Sequence, residues 1–364
     1  MAFLEFNNVR IAGMSAGVPR NIASNLHPSK DDNFSNEYTP EDFVKTTGVL
    51  ERRTSNTLTT SDLCYAAAER LIIDLGWERS EIEGLVFVSQ TPDYVLPATA
   101  CILQDRLGLS RECYAADVSL GCSGWVYGLG EIAGLLGRGT IRKALLLCGD
   151  AKKRWRISQG LLRDPLFGSA GTATALEWSE GENGLRFHFG TDGSGYDSII
   201  TPDGGSRSPF VAESFNFEDI EGKQLCRLMT RMKGMDVFSF GISTAPKSVK
   251  KLAEHFGLDY NQADYFVFHQ ANMKMNNMIA KKLKLPVEKV PSCMYHFGNT
   301  SSASIPLTIV TQLKDKVEQH PVKFICCGFG VGLSWGTVAF ETNNMVVSQL
   351  VEVDDEDADQ KYVV

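Results

Sequence analysis

Apolar and polar residues follow one another along the chain in blocks that predict strands and helices in turn. A long apolar run near the N-terminus, VRIAGMSAGVP, predicts a strand. In the later stretch TTSDLCYAAAERLIIDLG, apolar residues recur at helical spacing, Thr60 or Ser61 is the candidate cap, and Gly76 ends the predicted helix. Strands and helices alternate to about residue 180. The pattern predicts a layered α/β architecture.

One stretch, Asp117–Gly130 with the sequence DVSLGCSGWVYGLG, joins an apolar strand, a turn of small residues and a helix around Cys122. The turn places the thiol at the start of the helix, where backbone N–H groups and the positive end of the helix dipole favour a thiolate. A thiolate at this point is a candidate nucleophile. The alternative is a buried cysteine that fills the strand-to-helix joint as a small apolar residue.

From about residue 85 onward the sequence repeats itself. The blocks LVFVSQ, YAADVSLGCSGW and KALLLCGDA align in the same order with YFVFHQ, MYHFGNTSSASIP and VKFICCGFGVG, and Gln90 falls opposite Gln270. Two such strand–helix–strand units predict a duplicated α/β fold. Their pairing sets the loop of Cys122 against loops of the second unit.

The second unit supplies polar residues at its predicted strand ends. His269 directly follows the apolar run YFVF, at the carboxyl end of a strand, where α/β folds place their ligands. Asn299 lies in FGNTSSASIP, and the glycine-rich run GFGVGLSWG follows later. Each feature alone is ordinary: a core histidine, a turn asparagine and a tight strand connection. Together with Cys122 they predict a nucleophile, a base and an amide donor that converge from equivalent loops.

Composition and charge narrow the class of protein. The chain has 364 residues, of which 43% are hydrophobic, so it can bury one large core or two joined ones. The N-terminus lacks the pattern of a signal sequence and no apolar stretch is long enough to span a membrane, which predicts a cytoplasmic protein without membrane insertion. The net charge of −8 argues against nucleic-acid binding. Nine cysteines without CxxC spacing argue against a disulfide framework and a zinc site.

The predicted division has two α/β halves, residues 1–180 and 181–345, with the candidate nucleophile in the first and the histidine and asparagine in the second. Residues 346–364 follow them. Because this last segment carries six acidic residues against one lysine, it is predicted to be a solvated acidic tail.

The motifs GCSGW, VFHQAN, GNTSSASIP and GFGVGLSWG, in this order and at these separations, resemble those of the initiating 3-oxoacyl-[acyl-carrier-protein] synthases, the ketoacyl synthase III group of the thiolase superfamily. The likeness extends from about residue 5 to 340. It implies a thiolase-like fold, with two similar α/β halves in a layered αβαβα core, and a homodimer. It also implies an acyl-CoA and an acyl carrier protein as substrates and partners, without a metal or a bound cofactor.

The implied reaction is acyl transfer from the acyl-CoA to Cys122, followed by decarboxylative Claisen condensation with malonyl carrier protein or malonyl-CoA. The products are a 3-ketoacyl thioester, CoA and CO2. By the same resemblance His269 and Asn299 complete a Cys-His-Asn triad, and the oxyanion is held by the backbone N–H groups of Cys122 and Val331. The resemblance assigns further residues to the oxyanion site and the acyl tunnel, namely Phe329, Gly330 and Leu96.

The resemblance also assigns contacts with CoA or the carrier to Phe43, Lys45, Asn272 and Lys274. Phe43 and Lys45 are the nearest substitutes for a tryptophan and an arginine that typical members use for CoA, and Lys274 stands where the family has an arginine for the carrier. Leu96 replaces a residue, often phenylalanine, that closes the acyl tunnel of the partner subunit. Its smaller side chain predicts that acyl groups longer or more branched than acetyl are accepted.

Several alternatives can be weighed. A synthase-like acyltransferase would pass the acyl group from Cys122 to an oxygen, nitrogen or non-malonyl carbon nucleophile, and a non-catalytic relative would act as a partner subunit. The intact triad counts against the second of these. In elongating synthases the catalytic residues look like a Cys-His-His set, whereas the third position here is asparagine. Thiolases need a second cysteine where Phe329 falls, so Cys326 and Cys327 are predicted to be core residues.

Overall fold

A computed structural model describes residues 2–29, 32–34, 38–151, 155–157, 160–162, 164–181 and 184–363. The helices are α1 (Pro40–Thr47), α2 (Thr60–Leu75), α3 (Thr99–Arg106), α4 (Gly124–Leu136), α5 (Gly234–Phe256), α6 (Met273–Leu283), α7 (Met294–Phe297), α8 (Ser304–Gln312) and α9 (Lys314–Gln319). The strands are β1 (Ala2–Phe6), β2 (Val9–Pro19), β3 (Ile22–Ser24), β4 (Glu51–Arg53), β5 (Gly84–Val88), β6 (Tyr114–Val118), β7 (Lys143–Asp150), β8 (Trp155–Ile157), β9 (Gly160–Leu162), β10 (Ala170–Trp178), β11 (Leu185–Thr191), β12 (Ile199–Ile200), β13 (Glu218–Ile220), β14 (Lys223–Leu225), β15 (Arg231–Met232), β16 (Tyr265–Phe268), β17 (Lys323–Gly330), β18 (Ser334–Glu341), β19 (Val346–Val347) and β20 (Val351–Val353).

Most of the longer strands form two sheets. The first has the order β19-β2-β10-β7-β5-β6, with β20 also paired to β2, and the second has the order β1-β11-β18-β17-β16. Each sheet contains a parallel pair that belongs to one repeat: β5 beside β7, with Val88 opposite Cys148, and β16 beside β17, with Phe268 opposite Cys327. Loops that leave the carboxyl ends of such strands are where α/β folds assemble their sites.

Helices cover both sheets and fill the space between them. Apolar side chains of α4 and α8, among them Trp125 and Ile305, pack in one cluster with strands of both sheets. The helices α2 and α3 pack on the outer face of the first sheet, and α5 and α6 pack on the outer face of the second. The resulting αβαβα order confirms the predicted fold class. None of the helices in the described ranges combines the length and the apolar character that a membrane span requires.

Helix α2 shows how local sequence sets an element. Its cap is Thr59 rather than the predicted Thr60 or Ser61, because the Thr59 hydroxyl accepts from the N–H of Asp62 at 3.2 Å while the Asp62 carboxylate accepts from the N–H of Thr59 at 2.9 Å. Gly76 ends the helix as predicted, with a left-handed φ of 63°.

The ends of the chain cross between the two halves. Strand β1 pairs with β11 in the second sheet, although it precedes every strand of the first. Strands β19 and β20 return to the first sheet and run parallel to β2. Each sheet therefore includes a strand from the opposite end of the chain, and the boundaries at residues 180 and 345 remain predictions.

The prediction of a solvated acidic tail from about Val346 is wrong. The segment extends the first sheet through β19 and β20, and Val347 and Val353 are buried. Its acidic residues lie against arginines of the folded body, in the pairs Arg53–Glu352 at 2.7 Å, Arg20–Asp354 at 3.1 Å and Arg106–Asp359 at 3.2 Å. Buried valines on one side and these ion pairs on the other explain why an acidic segment lies on the sheet.

Candidate active site

Cys122 lies in the turn between β6 and α4, two residues before the first residue of the helix. The N–H of Gly124 donates to the carbonyl of Gly121 at 2.7 Å and closes the turn. Gly121 has no room for a side chain, because a β-carbon there would lie 2.5 Å from Oε1 of Gln90. The thiol is half-buried. The turn therefore holds Cys122 at the start of α4, as the sequence predicts.

Two glycines of β17 lie directly against this cysteine. A β-carbon at Gly330 would lie 2.6 Å from Cβ and 2.9 Å from Sγ of Cys122, and one at Gly328 would lie 2.8 Å from the Cys122 carbonyl oxygen. Alternate residues of a strand face the same side, so these two glycines leave the carboxyl end of β17 without side chains on the face toward Cys122. Neither glycine has a positive φ, so glycine is needed at these positions because a side chain would collide with Cys122, not because of the backbone conformation.

His269 directly follows β16 and is 2% exposed. Its N–H donates to the carbonyl of Cys327 at 2.9 Å, which ties its backbone to β17. The ring packs edge-on against Phe329, with centroids 5.7 Å apart. Its Nδ1 is hydrogen-bonded to the hydroxyl of Ser304 at 2.8 Å. Packing and hydrogen bonding thus fix the ring in one orientation.

The hydroxyl of Ser304 also accepts from the N–H of Gln270 at 3.4 Å, which leaves its own hydrogen available to Nδ1 of His269. A histidine whose Nδ1 accepts carries its proton on Nε2. The arrangement is therefore compatible with the tautomer in which Nε2–H is a donor.

Asn299 lies between α7 and α8 and is 5% exposed. Its backbone N–H donates to the carbonyl of Leu166 at 2.9 Å, and its carbonyl accepts from the N–H of Gly168 at 3.1 Å. The side-chain Oδ1 accepts from the N–H of Ser301 at 2.9 Å. Since Oδ1 is engaged as the acceptor, the amide is oriented with Nδ2 as its donor.

The segment that follows Asn299 connects these parts. Ser301 and Ser302 lie against the glycines on either side of Cys122: β-carbons built on those glycines would lie 3.4 Å from the Ser301 Oγ and 3.5 Å from the Ser302 Cβ. Two residues later Ser304 holds the imidazole ring of the histidine. One short segment therefore touches the cysteine turn and the histidine, and it begins at the asparagine.

The turn after β17 contains Val331. The Val331 carbonyl accepts from the hydroxyl of Ser334 at 2.7 Å, and that hydroxyl is also 2.7 Å from the hydroxyl of Ser123, the neighbour of the cysteine. The structure thus brings Phe329, Gly330 and Val331 to the candidate site. Leu96 is different: it lies at the surface in the loop between β5 and α3 and is 80% exposed.

The residues predicted to contact CoA or the carrier lie on two neighbouring helices, α1 and α6. A β-carbon at Gly48, the residue after α1, would lie 2.6 Å from Cβ of Met273, the first residue of α6. Four predicted residues lie on or next to these helices: Phe43, which packs on Phe34; Lys45, which is exposed; Asn272, which caps α6 by accepting from the N–H of Met275; and Lys274, whose ammonium lies 5.8 Å from the Phe238 ring. Asn272 therefore has a structural function in addition to any contact with a ligand.

The adjacent cysteines of β17 are core residues. Burial raises the pKa of the Cys327 thiol to about 12 and holds the pKa of Cys326 well above its usual range. Both side chains are protonated at neutral pH, so neither serves as the second, basic cysteine of a thiolase.

Sequence reasoning did not assign the two serines that position the site. Ser304 is the first residue of α8, and Ser301 supplies the N–H that orients the asparagine. Both lie in the quoted motif GNTSSASIP. The only signal available was a run of small hydroxyl residues before a helix, which equally describes an ordinary helix start.

Two family models match the chain. The model described as 3-oxoacyl-[acyl-carrier-protein] synthase III matches residues 116–193, which include Cys122. The model described as the C-terminal region of the same enzyme matches residues 253–342, which include His269 and Asn299.

Relatives match over almost the whole chain. The β-ketoacyl-[acyl-carrier-protein] synthase III of Clostridium acetobutylicum is 32% identical over 336 residues, which cover 92% of this chain and 99% of the relative. The crystal structure of a 3-oxoacyl-(acyl-carrier protein) synthase from Burkholderia xenovorans LB400 has 38% identity and a TM-score of 0.86, covering 97% of this chain and 99% of that one. A further 3-oxoacyl-(acyl-carrier-protein) synthase III structure has 32% identity and a TM-score of 0.83, with 92% and 99% coverage. The chain therefore belongs to the 3-oxoacyl-[acyl-carrier-protein] synthase III family of condensing enzymes.

Proposed function

We propose that this chain condenses an acyl group, taken from an acyl-CoA by Cys122, with a malonyl thioester. The products are a 3-ketoacyl thioester, CoA and CO2. The observation that carries the proposal is the convergence of β17, the cysteine turn and the Ser301–Ser304 segment on one half-buried thiol. The cycle needs no metal or bound cofactor.

In the first half of the cycle the Cys122 thiolate attacks the thioester carbonyl and forms a carbon–sulfur bond. The oxyanion that develops accepts from the backbone N–H groups of Cys122 and Val331. Its collapse expels the CoA thiolate, which takes a proton from solvent. The bonds of Ser334 to the Val331 carbonyl and to Ser123 support this assignment, because they fix both donors' backbones relative to each other.

In the second half the malonyl carboxylate leaves as CO2, and its electron pair passes to an enolate whose oxygen needs donors. We assign these donors to Nε2–H of His269 and the Nδ2 amide of Asn299. The bonds made by Ser304 and Ser301 support the assignment, since they engage the opposite atom of each side chain. One such donor in a site closed to water is worth roughly 10²–10³-fold in rate. The enolate carbon then attacks the acyl carbonyl, forming a carbon–carbon bond and releasing the Cys122 thiolate.

The partners follow from the same proposal. Helices α1 and α6 would contact CoA and the carrier through Phe43, Lys45, Asn272 and Lys274, of which the lysines suit an acidic carrier. A homodimer is supported by the tip of the β5–α3 loop, where Val95 and Leu96 expose 99% and 80% of their surface. We propose that the enzyme acts in the cytoplasm, where CoA thioesters and carrier protein meet.

The test is the intact mass of the protein after exposure to acyl-CoAs from acetyl to about C10, followed by a chase with malonyl carrier protein. Cys122→Ala removes the nucleophile. Cys101→Ala is the matched control, because Cys101 is an exposed thiol on α3, outside the proposed site. We expect an acyl adduct on the wild type and on Cys101→Ala, none on Cys122→Ala, and discharge by the chase with release of CO2.

Other outcomes would point elsewhere. An adduct that malonyl carrier protein does not discharge would favour the acyltransferase alternative. Acylation of Cys122→Ala would show that the reactive thiol is a different one, and the proposal would fail.

A further inference from the structure

The segment from Asp354 to Tyr362, called here the C-terminal strap, follows β20 and lies beyond residue 342, where the match to the family model ends. It carries most of the acidic residues at this end of the chain. The strap crosses the outer side of the first sheet near α2 and α3, and a cavity of about 580 Å³ lies between it and the body.

The strap is attached at its start and middle. The Asp355 carboxylate accepts from the hydroxyl of Ser55 and, at 3.1 Å, from the N–H of Asn56. Further along, Asp359 pairs with Arg106 of α3 at 3.2 Å. The same arginine pairs with Asp62 of α2 at 2.9 Å, and its side chain is 5% exposed. A guanidinium removed from water needs such partners, so the middle of the strap completes a buried charge cluster.

The end of the strap reaches the loop between β5 and α3. The Tyr94 hydroxyl donates to the Tyr362 carbonyl, and the Tyr362 hydroxyl donates to Asp105 of α3 at 2.6 Å. Lys361 pairs with the same aspartate at 2.9 Å. The end of the strap is thus bonded to α3 on one side and to the loop on the other.

This loop connects the candidate active site with the surface. Its second residue, Gln90, packs against Gly121 next to the cysteine. Its exposed apolar tip consists of Val95 and Leu96. Val95, Leu96 and Pro97 have no side chain that can form a hydrogen bond, so the Tyr94 hydroxyl is the group through which the tip can be bonded. The base of the tip has a second bond, from the N–H of Asp93 to the hydroxyl of Thr99 at 3.1 Å. The strap therefore supplies a polar anchor at the tip itself.

We propose that the C-terminal strap is a positioning element for the loop tip, and that through Leu96 it sets how strongly the enzyme discriminates among acyl chain lengths. The selectivity part rests on the proposed function, since it assigns Leu96 to an acyl tunnel. The strap touches no reacting atom. It acts by holding the backbone of the tip in one position. Acyl chains that the fixed tip excludes would displace a mobile tip and bind.

Two variants test the proposal. Tyr94→Phe removes the hydrogen bond alone, and a chain ending at Ala358 removes Asp359, Lys361 and Tyr362 together. Tyr127→Phe is the matched control, because the Tyr127 hydroxyl likewise donates to a backbone carbonyl, but to that of Gly190 at 3.0 Å, which belongs to β11 of the second sheet and not to the strap or the loop.

The first measurement is amide hydrogen exchange in a peptide that covers residues 90–98. The second is the spread of acylation rates between the best and the poorest acyl-CoA. Losing one neutral hydrogen bond is expected to speed exchange about threefold to tenfold. We expect both strap variants to show this and to narrow the spread of rates severalfold, with the rate for the best donor unchanged. Tyr127→Phe is expected to behave as wild type.

Unchanged exchange in both strap variants would overturn the proposal. A uniform loss of rate for every donor, together with a lower Tm and an unchanged spread, would also overturn it, because it would reduce the strap to a stabilising element. A wild-type protein that no acyl-CoA acylates would instead overturn the proposed function and with it the selectivity part. The exchange measurement needs no substrate, so the two failures are distinguishable.

Discussion

The close approach of β17 to Cys122 allows the effect of one substitution, Gly330→Ala, to be predicted. Replacing it with alanine places a β-carbon 2.6 Å from Cβ and 2.9 Å from Sγ of Cys122. Because Gly330 does not have a positive φ, alanine meets no backbone strain there. The effect of Gly330→Ala is therefore steric and is confined to the approach of β17 to the thiol.

The structure gives the size of the effect. Ordinary contacts of a β-carbon begin at about 3.4–4 Å, so the strand and the cysteine turn must separate by about 1 Å. Overpacking of this kind costs about 1–3 kcal/mol of stability. A displacement of 1 Å between reacting groups costs about 10²-fold in rate. We expect Gly330→Ala to fold, with a lower Tm, and to be acylated about 100-fold more slowly than the wild type.

The assay is the rate at which an acyl-CoA acylates Cys122, followed by intact mass. Gly134→Ala is the matched control: Gly134 lies on α4, and a β-carbon there meets no atom within 4 Å. Alanine at that helix position is expected to stabilise by about 0.5–1 kcal/mol and to leave the acylation rate unchanged. Acylation of Gly330→Ala at the wild-type rate would refute the argument that β17 fixes the position of the thiol.

Three further predictions concern separate parts of the molecule. Ser304→Ala is expected to slow decarboxylation about twofold to tenfold through loss of one hydrogen bond while acylation of Cys122 is unchanged; single-turnover CO2 release measures this, and Ser304→Thr should restore it. Lys274→Glu is expected to raise the KM for the carrier severalfold without changing acylation by acyl-CoA, because it reverses a charge on an exposed face; an unchanged KM would remove this lysine from the carrier interface. Burial, assisted by the charge of Lys251, lowers the pKa of His188 from 6.5 to about 4. Between these pH values the unfolded chain binds a proton at His188 that the folded chain does not bind. The contribution of His188 to the free energy of unfolding is therefore fully present above pH 6.5 and falls by about 3 kcal/mol as the pH drops to about 4. Urea unfolding at several pH values checks this, and His188→Asn should remove that part of the pH dependence.

The hydrophobic pattern was enough to predict features that depend on residues close to one another in the sequence. His269 was identified because it directly follows the apolar strand β16, and Cys122 because it lies in the turn of small residues between strand β6 and helix α4. The matched blocks predicted two similar units, yet the stretch MYHFG, aligned with strand β6, forms the short helix α7 instead. Periodicity over five residues does not separate a strand from one helical turn.

Interactions between distant residues could not be predicted in this way. The solvated-tail prediction failed because it weighed the acidic residues of the segment without the arginines they meet, and Arg53 and Glu352 are 299 residues apart. Ser304 was missed for a similar reason. Its hydroxyl matters only because the fold brings it to within 2.8 Å of a ring nitrogen 35 residues earlier in the chain.

The crossing of the chain ends has a consequence for synthesis on the ribosome. Strand β2 is long and almost wholly buried, and one of its edges is covered by β19 and β20, which are made after every other strand of this sheet. Until those two strands emerge, that edge of β2 offers unpaired N–H and C=O groups to any other chain nearby. We therefore expect chaperones to stay bound to the nascent chain until β19 and β20 have emerged. Stalled chains that end before β19 are the forms in which aggregation is expected to begin.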